Sequence, residues 1–282
     1  SRLATFTIVA KGDYPAELDI PLPFSLISND VTHDELVVMP AYWFQYNMYA
    51  LSRNAWKYKA RDKRIEKFQR LEFDFLAPDS MVEVLQSIPL MEELCGRAYF
   101  NKYPTEQEQS IQSIKQKGKE LLSSKAPVVR ELDVFASGWE NSKRKIRVIK
   151  IIEAYTQFKQ LIHYYPVYCL TEYYSQADLK DEKFLQDAKT KHAFAIAFSD
   201  NGINPVEFNM DQFQQMLEDS KIFRQSMSEN IYTSRKKDYD NPFRNMVYAD
   251  EKERDAVLGA LEDNGFIQTE KKETETFIQQ ID

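Results

Sequence analysis

The spacing of apolar positions changes at Pro40. Before it, Leu3 to Val9 reads as extended chain, and Phe24 to Ile27 and Leu36 to Met39 flank a polar link through Asn29, Asp30, Thr32, His33 and Asp34, the pattern of a hairpin. Turn chemistry separates these runs: Gly12 permits tight turning, and Pro15, Pro21 and Pro23 disfavour helix in the residues before them. After Pro40, Tyr42, Tyr46, Tyr49, Ala50 and Trp56 recur at three-and-four spacing, which predicts an amphipathic helix to about Lys59.

Further helices are predicted over 79–100, 105–123, 139–164, 181–197, 209–232 and 250–264. Asp79 precedes an apolar face as a capping residue, Thr105 to Glu108 has the form of a capping box, and Pro89 is expected to kink or end its helix. Ile146, Ile149, Ile152, Phe158 and Ile162 give 139–164 the broadest apolar surface, so this helix is expected to be the spine of a bundle. The turn residues of 200–205 mark a subdomain join, and 267–282, with no firm apolar period, is expected to fray. The pattern describes an α+β chain, mainly α: a β-structured opening with a hairpin at 1–40, a helical domain at 41–266 and a short tail.

Composition fits a packed core. Of 282 residues, 43% are hydrophobic and 13% aromatic, with only seven glycines, unlike disordered or collagen-like chains. A formal charge of −7 argues against wholesale attraction to nucleic acid or to an anionic membrane, and no apolar run approaches the roughly 20 residues that span a bilayer. Neither nucleic acid nor membrane is therefore an expected partner. Cys95 and Cys169 stand apart in apolar patterns, as reduced thiols of a cytoplasmic protein do. The chain opens on Ser1 directly before strand-like residues, which leads us to expect that it belongs to a longer protein.

Charge is unevenly spread. Between Arg53 and Arg70, eight basic residues face only Asp62 and Glu66. On one continuous helix Arg53, Lys57, Arg61 and Arg64 would form a single stripe beside Asn54, Trp56 and Tyr58. Such a stripe suits a phosphate or carboxylate, because guanidinium groups offer paired donors to anions. The bland alternative is a solvated face, or ion pairs to Glu72, Asp74 or Asp79. A second basic run, Lys143, Arg144, Lys145, Arg147 and Lys150, reads as the solvated face at the start of the spine helix, with an anion partner as the lesser reading. His33, His163 and His192 have no ligand-like neighbours at metal-binding spacing, and no nucleophile elbow or phosphate loop occurs, so no metal or cofactor is expected.

Ile8 to Pro21 carries Val9-Ala10-Lys11-Gly12-Asp13-Tyr14-Pro15, which resembles the turn ending the last coil of left-handed β-helix acyltransferases and sugar-nucleotide enzymes. Pro23 to Leu26, Met39 to Trp43, Tyr46 to Asn54, Arg61 to Arg64, Glu72 to Asp74 and Ala77 to Asp79 resemble the C-terminal part of a family of large, uncharacterised bacterial proteins. In that family a β-helix region precedes the helical part. The resemblance implies a noncatalytic region that caps, oligomerises or supplies a ligand wall to a transferase-like protein. Its implied partners are the β-helix of the parent chain and a second copy of itself. The alternative it implies is part of a transferase site that holds a phosphorylated small molecule through Arg53, Asn54, Lys57, Arg61 and Arg64.

Overall fold

A computed structural model describes residues 1–69, 71–104, 109–171, 174, 179, 181, 183 and 209–282. The predicted capping box at 105–108, most of the helix at 181–197, His192 and the turn at 200–205 lie outside the described residues. The chain is α+β and mainly α, and it forms two units, Ser1–Trp43 with Leu76–Leu161, and Phe44–Phe75 with Ile162–Asp282. The boundary expected at residue 40 thus separates neither unit by itself.

The first unit opens with short strands β1 (Arg2–Leu3), β2 (Ile8–Val9) and β3 (Asp19–Ile20), followed by β4 (Leu26–Asp30) and β5 (Glu35–Met39). No helix interrupts them, as the alternation predicts. β1 lies parallel to β3 with Arg2 opposite Asp19, and β2 lies parallel to β4 with Ile8 opposite Leu26, so the chain returns on itself after 17 and then 18 residues. The corners match as well: Phe6 (φ 55°) and Phe24 (φ 56°) are both left-handed, and their rings stack at 5.2 Å with parallel planes. Left-handed backbone is uncommon for a bulky residue, so its repetition at equivalent corners marks a repeated path. Hydrogen bonds of 2.8–2.9 Å link the layers at Ala4 N to Ile20 O, Ile8 N to Ser25 O and Phe24 N to Thr5 O.

The hairpin between β4 and β5 forms as predicted, with its turn held by Asp30 Oδ1, which accepts the amides of Thr32 and His33. β6 (Phe135–Ala136) and β7 (Lys145–Val148) extend the sheet to the order β2-β4-β5-β7-β6. This corrects the spine helix predicted from 139. Ile146 and Val148 are buried while Lys145 is exposed, a two-residue alternation that the surrounding isoleucines disguise as helical spacing. The open edge of β5 takes 145–148 as a parallel partner, Lys150 turns the chain at φ 57°, and only then does α5 (Ile151–Thr171) begin.

Helices α3 (Pro78–Lys102) and α4 (Ile111–Ser123) pack against each other through glycines. A Cβ on Gly96 would lie 1.9 Å from Ile114 O, and one on Gly118 would lie 1.8 Å from Glu92 O, so side chains at either position would force the helices apart. Of the two outcomes expected at Pro89, ending the helix does not occur: α3 runs on through it to Lys102. α4 starts later than predicted because Ser110 Oγ caps it by accepting from Ser113 N.

In the second unit, α1 (Tyr42–Tyr46, counted here from Phe44) and α2 (Met48–Arg61) break at Asn47. They are followed by α6 (Met210–Asp240), α7 (Pro242–Asn245), α8 (Glu251–Leu258) and α9 (Gly265–Ile281). α6 outruns its predicted end, whereas α8 stops at Gly259 (φ 78°), short of 264. The tail expected to fray is a capped helix: Asn264 Oδ1 accepts from Ile267 N, and Phe266, Ile267, Phe277 and Ile281 are buried. Its buried stripe is apolar at both ends but carries Glu270 and Thr274 in the middle, which hides the period from the sequence. Tyr164 sits in this core, its ring 5.1 Å from Phe223 and 5.4 Å from Phe277.

Candidate anion-binding face

α2 has two unlike sides. Its buried residues are Met48, Leu51 and Ser52, and Tyr49 and Trp56 meet Phe266 edge-on and tilted, at 5.5 and 5.6 Å between ring centres. Tyr49 is fixed further: its amide donates to Ser234 Oγ, and its hydroxyl accepts from Asn264 Nδ2. Arg53 lies over the Tyr49 ring at 5.8 Å, and Arg235 of α6 approaches the same ring at 5.2 Å. Arg235 was not anticipated, because its role depends on α6 packing beside α2.

Arg53, Lys57 and Arg61 follow one another at successive turns, and no carboxylate among the described residues pairs with any of them. Their charges act on each other instead: Arg53, then partial burial, then Arg61 hold the Lys57 ammonium below its ordinary pKa. Asn54 is exposed on the same helix. Glu72, one of the carboxylates weighed as a partner, accepts the amides of Phe73 and Asp74.

Arg64 does not extend the row. The helix ends at Arg61, and the Asp62 carboxylate takes Arg64 through Nε and Nη2, both at 2.8 Å, with Lys67 at 3.5 Å. Arg64 Nη2 also donates to Tyr58 Oη at 3.2 Å, and Tyr58 stacks on Phe73 at 4.5 Å. These contacts fold the following loop onto the end of α2. The Asp62 carboxyl is held far below the usual range, chiefly by its hydrogen bond from Arg64. The same loop turns Ile65 and Phe68 outward, 99% and 90% exposed. The sequence signal was the apolar spacing within the basic run, which charge counting passed over.

The second basic run is built differently. Arg144 is enclosed with Glu140: Nη2 makes a short ion pair to Oε1, Nε donates to Oε2 at 3.0 Å, and Nη1 donates to Asn29 Oδ1 at 2.6 Å. Arg147 bridges Glu35 at 2.6 Å and Asp133 at 2.7 Å. Its neighbourhood includes a cavity of about 330 Å³ lined by Arg130, Asp133, Arg147, Lys150 and Glu153, where Arg130 pairs with Glu153 at 2.8 Å. A second cavity, of about 560 Å³, lies beside Glu92, Ile111, Lys115 and Lys119. Neither contains a residue of the α2 row.

Among the described residues no group of three His, Cys, Asp or Glu could hold a metal ion. Cys95 and Cys169 are not joined in a disulfide, and burial pushes the Cys95 thiol up to about 12. No helix of the described residues is long and apolar enough to cross a membrane.

No family model matches the chain, and no solved structure matches it. A protein of Treponema pallidum (strain Nichols), described as an uncharacterized protein, is 27% identical over an alignment of 332 positions. The alignment takes in 97% of this chain and 43% of the relative, so the chain spans less than half the length of the relative it matches.

Proposed function

We propose that this chain is the closing end of a β-solenoid, a noncatalytic terminal region of a longer, transferase-like protein. One contrast carries the reading. Leu3, Phe6 and Val9 are 40%, 36% and 40% exposed, whereas Ile20, Phe24 and Ile27, which occupy the equivalent places one return later, are at most 1% exposed. β1 and β2 are also edge strands, so one rim of the coil presents apolar side chains and unpaired backbone together. Native proteins rarely leave such an edge uncovered. One further coil in the same parallel register would cover it. The opposite rim is closed: β4 takes β5 antiparallel, and residues 17–19 take 139–141 antiparallel through Asp19 N to Trp139 O and Asn141 N to Glu17 O. Antiparallel partners end a parallel stack. Two cysteines that form no disulfide support a cytoplasmic setting for this reading.

Hydrogen exchange on the longer parent protein tests it. The amides of residues 2–9 should be protected to the level of 19–27. Exchange of 2–9 at the rate of an exposed edge, beside a protected 19–27, would sink the reading.

A second reading rests on the three unpaired cations of α2. Arg53, Asn54, Lys57 and Arg61 would bind a phosphorylated ligand, with Arg64 held back by Asp62. Calorimetry with pyrophosphate checks this: Arg61→Ala should weaken binding about tenfold or more by removing a charge-assisted contact. Equal binding by wild type and variant would remove the site.

A further inference from the structure

We infer that the basic face of α2 and the loop after it form a contact for an anionic lipid surface. The inference rests on the second reading above and names the carrier of the phosphate. A soluble phosphate needs cations and an entry path but gains nothing from exposed apolar side chains beside them. Here Arg53, Lys57 and Arg61, none of them in an ion pair among the described residues and Arg53 resting over the Tyr49 ring, are continued directly by a loop that projects Ile65 and Phe68 almost wholly into water. Large apolar side chains at such exposure mark an interaction surface when they occur together. Cations at headgroup level with an Ile and a Phe beyond them is the composition that binds a membrane interface.

The loop is built for this presentation. Asp62 takes Arg64 and Lys67 together, one from each side of Ile65, while Tyr58, Arg64 and Phe73 tie the loop back to the helix. The two apolar side chains are therefore turned outward by ion pairs at their base. Lys63 remains beside them as an exposed cation. The overall charge of −7 opposes adsorption of the whole molecule, so contact is confined to this one face and falls off within a Debye length. The expectation from sequence that no membrane is a partner considered only spanning segments and net charge, and a surface contact needs neither.

Vesicle flotation with the whole chain tests the inference. The protein should float with phosphatidylcholine vesicles that contain phosphatidylserine, should not float with phosphatidylcholine alone, and should lose most binding at about 0.5 M salt. An Ile65→Ser/Phe68→Ser variant should lose about tenfold or more in partitioning. Because both side chains are exposed, that variant should keep the wild-type circular dichroism and its affinity for soluble pyrophosphate. Vesicle binding that ignores phosphatidylserine, or that survives the double substitution, overturns the lipid contact. Pyrophosphate binding without vesicle binding overturns it and leaves the phosphate reading standing. Binding to neither overturns both.

Discussion

Two basic runs of similar density have opposite fates in this protein. From 143 to 150 both arginines are consumed by the fold: Arg144 and Glu140 are enclosed, their side chains only 11% and 1% exposed, and Arg147 is shared between Glu35 and Asp133, while the lysines of the run stay exposed. From 53 to 61 the cations stand on a helix face with no carboxylate among the described residues to meet them. Charge density is the same local property in both places. What differs is whether strands from elsewhere bring carboxylates to it. β5 brings Glu35 to Arg147 through its parallel register with β7, and the turn at 140–144 folds Glu140 back onto Arg144. A basic run is thus a structural staple or an available surface according to its partners, and the available one is the better functional candidate.

The largest effect that would break this contrast concerns the enclosed pair. Glu140→Ala leaves the enclosed Arg144 guanidinium with its hydrogen bond to Asn29 but no ion-pair partner among the described residues, and should cost about 3 kcal/mol or more in urea unfolding. A loss below about 1 kcal/mol would make the two runs energetically alike.

A buried ion pair of the second unit sharpens the point through pH. Arg224 lies 2.7 Å from Glu270, yet burial first, with Glu273 adding to it, raises the Glu270 carboxyl to about 7. The folded protein therefore holds a proton that the unfolded chain releases near the ordinary value of 4.5. Below that value both states are protonated and the contribution is fully present. Between it and about 7 stability should fall, by on the order of 3 kcal/mol in total, and then level off. Glu270→Gln should flatten this part of a stability profile measured by denaturant titration. An unchanged profile in the variant would assign the dependence elsewhere.

Smaller effects belong to the available run. Asp62→Asn frees Arg64 and Lys67, and should strengthen binding of pyrophosphate about threefold in calorimetry without unfolding the chain. Weaker binding would mean that the ion pairs hold the face in shape. Replacing Arg53, Lys57 and Arg61 together by Gln should leave the urea midpoint close to that of the wild type, since no ion pair is lost and mutual repulsion is relieved. A loss like that of Glu140→Ala would show this run to be structural too.

Much of the architecture was legible along the chain. The change from alternation to three-and-four spacing at Pro40 separates the strands of 2–39 from the helices after 42, because side-chain period follows directly from local backbone geometry. The hairpin and the row Arg53, Lys57, Arg61 follow from the same local rules. Where the sequence misled, the deciding partner was distant. Residues 145–148 join a sheet because β5 offers an edge, although their isoleucines also fit a helix. The tail holds as a helix because α6 and Tyr164 receive Phe277, and because Arg224 accommodates Glu270 within an otherwise apolar stripe. Arg64 leaves the basic row because Asp62 captures it once the helix stops. Sequence by itself determined the period of each segment and the places where charge gathers. Only the tertiary structure decided which segments pair, which cations stay unpaired and which apolar side chains remain in water, because these depend on contacts between residues far apart in the chain, which no local period encodes.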